Sequence, residues 1–321
     1  MMTAESLSRS GSQDHFRVLV PLDGSTLAEQ AIPYAAALAG PGEEITFVQV
    51  APPPEPIVDP VRGKLPLTDQ DIARYEDRIR AGLAAIAQRW QAVVPRVKLE
   101  VAFGDPAEEI VRIAEHDRYN LIVMASHGRG ALGRWTFGSV ADRVVRSSTV
   151  PVMIVRPQDA PVELGMAQIH RFIVPLDGSE LANRVLPLVE RLAQRLRHPV
   201  MLISVVPPTD ELLGPAALAA FISGDAVRRQ REEIEARMRQ AQEAAAARLE
   251  AAGIPTERRI AEGQPYAMIA DAAQPGDVIV ISTHGYSGIR RWVLGSVAEK
   301  LIRLAGAPVI VMRSPEAPSD H

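Results

Sequence analysis

The chain has 321 residues, with 35 Lys and Arg against 39 Asp and Glu, a net charge of −4, 47% hydrophobic residues and no cysteine. That length and apolar content fit about two globular domains, while the absence of cysteine excludes disulfides, a thiolate nucleophile and a cysteine–zinc site. The mildly acidic balance disfavours nucleic acid as a partner, and the lack of any run of about 18 apolar residues gives no membrane span.

In chain order, residues 1–15 are polar without an apolar signal-peptide core and read as a tail, so the expected compartment is the cytoplasm. Arg17–Pro21 is a short apolar strand ended by the turn Pro21-Leu22-Asp23-Gly24-Ser25. Ser25 then caps a helix whose Leu27, Ala31 and Tyr34–Ala35 share one face. Glu44–Val50 is a second strand, and a Pro-rich loop follows. From Thr68 to about Val93, Ile72, Tyr75, Ile79, Leu83, Ile86 and Trp90 recur at steps of three and four, which predicts an amphipathic helix with that stripe on the core. Val97–Ala102 is a third strand, Pro106–His116 a helix opened by proline, and Leu121–Ala125 a fourth strand. A Gly-rich loop leads to a helix at Ser139–Ser147 and a last strand at Val152–Val155.

The same order then repeats. "FRVLVPLDGS" at 16–25 returns as "RFIVPLDGSE" at 171–180, and "ASHGRGALGRWTFGSV" at 125–140 returns as "STHGYSGIRRWVLGSV" at 282–297. A long Arg-, Glu- and Ala-rich helix is expected at roughly Asp225 to Ala252. Acid and base are interspersed along it, so it reads as a solvated helix. The expected division is a first domain at 16–157, a linker at 158–170, a second domain at 171–314 and a tail at 315–321. Alternating strands and helices predict an α/β class, two tandem doubly wound domains of five parallel strands.

Ligands of such sheets sit beyond the carboxyl ends of strands, where the strand order reverses. Two motifs follow strand ends in each copy: the Pro-Leu-Asp-Gly-Ser turn, and the Gly-rich loop. Gly128 and Gly130 allow a sharp turn with exposed amides, and Gly138-Ser139-Val140 opens a helix whose first amides lack intrahelical acceptors. Such an end attracts anions. Arg129, Arg134, Arg290 and Arg291 add charge nearby.

Plainer readings stand beside these. Ser139 and Ser296 can be helix caps, Asp23 and Asp177 can hold Asx turns, His127 and His284 can hydrogen-bond a loop, and Trp135 and Trp292 can pack. No G-x-x-x-x-G-K-[ST] is present, and no G-x-G-x-x-G follows the first strand.

Gly128, nine residues, then Gly138-Ser139, with the counterpart Gly285, nine residues, then Gly295-Ser296, resembles the pattern of the ATP-binding universal stress protein family. "PLDGS" and the terminal "PVMIVRP" and "PVIVMRS" are similar to that family as well. The resemblance covers nearly the whole chain as two tandem domains. It implies an adenine-nucleotide alpha-hydrolase-like, Rossmann-like domain of strand order 3-2-1-4-5 that binds ATP, with Mg2+ or Mn2+ carried on the phosphates, and domains that pair through the last strand.

Carried over by position, the nucleotide contacts are Pro21, Asp23, Val50, Met124, Ala125, Gly128, Gly138, Ser139 and Val140 in copy one. In copy two they are Pro175, Asp177, Val205, Ile281, Ser282, Gly285, Gly295, Ser296 and Val297. Ala125 and Ser282 depart from the family's first glycine. No residue stands out as positioning water for hydrolysis, so the expected role is nucleotide-dependent stress response or signalling without catalysis. A slow ATPase or phosphotransferase and a ligand-free adaptor are the alternatives, and a further homodimer is left open.

Overall fold

A computed structural model describes residues 15–54, 57–59, 63–65, 67–126, 137–157, 162–208, 224–283 and 294–313. In the first half, β1 (Val18–Pro21), β2 (Ile45–Ala51), β5 (Val97–Phe103), β6 (Leu121–Ala125) and β7 (Val152–Val155) alternate with α1 (Thr26–Glu29), α2 (Ile32–Ala39), α3 (Asp69–Trp90), α4 (Pro106–His116) and α5 (Ser139–Ser147). In the second half, β8 (Arg171–Pro175), β9 (Val200–Val206), β10 (Thr256–Glu262), β11 (Asp277–Ser282) and β12 (Val309–Met312) alternate with α6 (Glu180–Asn183), α7 (Leu186–Leu196), α8 (Gly224–Ala251), α9 (Pro265–Ala272) and α10 (Ser296–Leu304).

The strands form one ten-stranded sheet of order β10-β9-β8-β11-β12-β7-β6-β1-β2-β5. Each half is parallel with the order 3-2-1-4-5, and the halves meet where β12 pairs antiparallel with β7, Val309 opposite Ile154 and Val311 opposite Val152. The expected fold class and the pairing of the two copies through their last strands are both present. Because the seam is antiparallel, the carboxyl ends of the strands of lobe one lie along one edge of the sheet and those of lobe two along the opposite edge.

β1, β6, β7, β9 and β11 are buried along their whole length, as strands covered by helices on both faces are. Both hydrophobic layers run across the seam. Phe16, Val20, Phe47 and Trp90 of lobe one share a cluster with Phe172, Leu186 and Leu249 of lobe two. On the other face Ile113, Val144 and Ile154 share one with Ile203, Leu301 and Val311. Polar groups clamp the lobes further. The Arg195 guanidinium donates to the last carbonyl of α2, at Ala39, and to Glu43 Oε1 at 2.7 Å, and it lies with Arg191 over the Phe16 ring. Arg313 donates to Ser147 O, at the carboxyl end of α5.

Four details differ from the sequence expectation. The first helix is two helices, α1 and α2, broken at Gln30 and Ala31 where Pro33 enters as an early residue of the second. The Pro-rich loop contains a short antiparallel ribbon, β3 (Ile57–Asp59) with β4 (Gly63–Leu65). The apolar stripe of α3 is core only at its carboxyl half. Leu83, Ile86 and Trp90 are buried, whereas Ile72 is exposed and Tyr75 stacks on Phe103 at 5.8 Å. A 22-residue helix is about 33 Å long and a seven-residue strand about 23 Å, so the first turns of α3 overhang the sheet. The stretch before β8 is also more than a tether, since Ile169 is buried and the Ala167 amide donates to Pro33 O at 3.0 Å.

Candidate functional site

β1 and β6 are neighbours in the register Val18 opposite Leu121, so Pro21 and Met124 end at the same carboxyl edge. Pro21 also lies opposite Val48 of β2, which carries Val50 to the rim two residues on. The second lobe repeats this. Asp277 lies opposite Arg171 and Pro175 opposite Ile203, which brings Pro175, Val205, Ile281 and Ser282 to one edge. Met124, Ala125, Val205, Ile281 and Ser282 are buried, an apolar lining apart from the one hydroxyl.

The turn after β1 is held by its own side chains. Asp23 Oδ1 accepts from the Ser25 amide at 2.9 Å and from Ser25 Oγ at 2.6 Å, and Ser25 Oγ accepts from the Ala28 amide as the cap of α1. Asp177 Oδ1 accepts from the Ser179 amide at 2.9 Å, and Ser179 caps α6 through Ala182 at 3.1 Å. The Asx reading of both aspartates therefore describes these bonds. It does not exhaust the residues, since each makes further interactions.

The helix end is built differently. The N-cap of α5 is Gly138 and that of α10 is Gly295, both with extended backbone and neither with a side-chain cap. Ser139 and Ser296 are the first residues inside their helices, which corrects the reading of them as caps. The first intrahelical bonds run from Asp142 to Gly138 O and from Glu299 to Gly295 O, both at 2.9 Å. The amides of Ser139, Val140 and Ala141, and of Ser296, Val297 and Ala298, precede these bonds and have no acceptor within the helix.

Elsewhere α1, α3, α4 and α6 are capped by Ser25, Thr68, Asp105 and Ser179. Helices α2, α7 and α9 lack a side-chain cap but open with proline, which has no amide donor. Gly138 N donates to Ser126 O at 2.9 Å and Gly295 N to Thr283 O at 2.6 Å, so each uncapped helix starts against the end of its fourth strand. Gly128, Gly285 and the His, Arg and Trp residues of the Gly-rich loops lie outside the described residues.

Two residues that the motifs did not single out stand at this rim, Arg143 and Lys300. Arg143 Nη1 donates to Asp105 Oδ2 at 2.7 Å and Arg143 Nη2 to Glu108 Oε1 at 3.1 Å. Arg143, and then the amide of Glu108, hold the Asp105 carboxyl below the usual carboxylate range. Lys300 Nζ lies 4.6 Å from the centroid of the Tyr266 ring. The available signal was helical spacing, since each cation is four residues beyond the serine of Gly-Ser. Among the described residues no cluster of three or more His, Asp or Glu could hold a metal ion, and no helix is long and apolar enough to cross a membrane.

Comparison with known proteins agrees with this architecture. The universal stress protein family matches residues 15–156 and again residues 168–313. A universal stress protein of Mycobacterium tuberculosis is 28% identical over 221 residues, 68% of this chain and 69% of its own. One of Methanocaldococcus jannaschii is 28% identical over 152 residues, 47% of this chain and 88% of its own. The crystal structure of a universal stress protein from Archaeoglobus fulgidus superposes with a TM-score of 0.63 at 24% identity, covering 94% of this chain and 99% of that one, a likeness of fold. With both halves matched and a 3-2-1-4-5 sheet in each, the chain belongs to the universal stress protein family as a tandem of two such domains.

Proposed function

We propose that the chain binds ATP at the carboxyl edge of one or both lobes, with the phosphates against the first amides of α5 and α10. The observation that carries this reading is the pair of uncapped glycine-started helices at equivalent places. Each leaves three amides and the positive end of a helix dipole at a strand-end crevice, which is what a phosphate group needs. A protein that used Gly138 and Gly295 only as turns would gain by capping these helices, as it caps four others.

The family pattern of glycines and serine supports the same reading. The ends of β2 and β6, and of β9 and β11, where Met124, Ala125, Val205 and Ile281 are buried, would give adenine an apolar surface to rest on. A divalent ion would be carried by the phosphates. The chain's own residues orient and enclose the nucleotide, so the role is recognition, a nucleotide-dependent step in a cytoplasmic stress response. The bonds of Asp23 to Ser25 favour a ligand-free adaptor for that one residue, yet they leave the uncapped helices without an explanation.

Mass spectrometry of the small molecules released on denaturing gently purified protein should find ATP. Thermal stability should rise with added ATP by mass action. No nucleotide and no shift at millimolar ATP would overturn the proposal.

A further inference from the structure

The two crevices share one kind of seat but differ in the cation beside it. One helical turn beyond Ser139 stands Arg143, and one turn beyond Ser296 stands Lys300, each exposed and on the same face as its serine. Arg143 is shared between two carboxylates, Asp105 and Glu108. Lys300 rests on the neutral ring of Tyr266 and has no carboxylate at ion-pair distance among the described residues.

The difference starts in the neighbouring helix. The first turn of α4 carries Glu108 and Glu109 behind its Asp105 cap, whereas α9 opens Gln264-Pro265-Tyr266 with no acid in its first turn. The Gly-rich loops do not offset this, for each carries two arginines, Arg129 and Arg134 in one and Arg290 and Arg291 in the other.

For Arg143 to turn to a phosphate, two acids must lose their partner. Lys300 gives up only an exposed cation–π contact, which is weak. Long side chains on a helix lean toward its amino end, so the four-carbon stem of Lys300 reaches back over the first turn of α10. We propose that lobe two is the tighter nucleotide seat, and that Lys300 makes it so by leaving the Tyr266 ring for the outer phosphates. This rests on the reading of both crevices as nucleotide seats.

Calorimetric titration of the full chain separates the two ideas. The variants Gly138→Asp and Gly295→Asp each leave one seat. ATP should bind Gly138→Asp about two- to fivefold more tightly than Gly295→Asp, the scale of one charge near a helix end. Adding Lys300→Gln to Gly138→Asp should weaken ATP by a similar factor and ADP by less, leave adenosine unchanged, and flatten the salt dependence.

The converse arm uses Asp105→Asn with Glu108→Gln in the Gly295→Asp background, where asparagine keeps the cap of α4. Freed of its acids, Arg143 should raise the ATP affinity of lobe one. Equal affinities of the two seats, an unchanged affinity on Lys300→Gln, or no gain on freeing Arg143 would overturn the inference while leaving ATP binding intact. No heat with ATP in the unsubstituted chain would overturn the nucleotide reading itself, and this inference with it.

Discussion

The amide of Gly138 donates to the carbonyl of Ser126 across 2.9 Å, joining the start of α5 to the end of β6. The backbone at Gly138, φ −63° and ψ 141°, is an ordinary N-cap conformation open to any residue. Aspartate is a good cap there and should stabilise α5 by a few tenths of a kcal/mol over glycine. Its carboxylate would also occupy the place of a phosphate. Gly138→Asp is therefore expected to hold or raise Tm while removing ATP from lobe one and sparing lobe two. Calorimetric stoichiometry checks this, and an unchanged stoichiometry with full affinity would exclude lobe one as a seat.

Asp23 carries a structural bond that asparagine can keep and a charge that it cannot. Asp23→Ala should cost about 1 kcal/mol, the scale of one lost hydrogen bond, because the Ser25 amide and hydroxyl lose their acceptor. Asp23→Asn should melt within a few tenths of a kcal/mol of the parent, the scale of a polar swap that keeps its bond. Yet it should bind ATP several-fold more weakly if the carboxylate faces the ribose. Paired thermal melts and titrations decide it. Full affinity in Asp23→Asn would confine Asp23 to the turn.

The clamp between the lobes should fail in acid. Partial burial would raise the Glu43 carboxyl, but hydrogen bonds from Arg195 and His15 outweigh it, and its pKa lies below the ordinary glutamate value. A depressed folded pKa means the stabilisation is fully present above the unfolded pKa, about 4.3, and is lost as pH falls through the folded value. Stability of the parent should decline below about pH 4 more steeply than that of Glu43→Gln. Denaturant melts across pH 3 to 6 test this, and parallel curves would remove Glu43 from the clamp.

Met153 is fully buried and sits opposite Ile310 at the seam. Met153→Ala should cost about 2–5 kcal/mol, the range for large-to-alanine truncation in a core. Since each hydrophobic layer includes residues of both lobes, scanning calorimetry should still show one transition, moved down. Two separate transitions in the parent chain would mean that the lobes fold independently.

Much of the fold was legible because local signals and the core agreed. Pro106–His116 was bounded by its proline, and the Thr68 cap with Asp71 forms a capping box that starts α3 where the apolar period begins. Ser25 was a readable cap for the same reason. What periodicity could not tell was where the sheet stops, so Ile72 looked like core although α3 outruns its strands.

Serine and glycine are both acceptable N-caps, so propensity left open which of Gly138 and Ser139 holds that place, and the extended residue is Gly138. Arg143 and Lys300 were missed because their partners, Asp105, Glu108 and Tyr266, come from a neighbouring helix more than 30 residues away. No linear motif records that proximity.

A pair of identical single-domain subunits joined as β7 and β12 are joined would present two identical poles, and any substitution would alter both. Joining the two copies in one chain removes that constraint. Ala125 in one copy corresponds to Ser282 in the other, and Arg143 to Lys300. The poles lie at opposite edges of one continuous sheet, so a substitution at one leaves the residues of the other untouched.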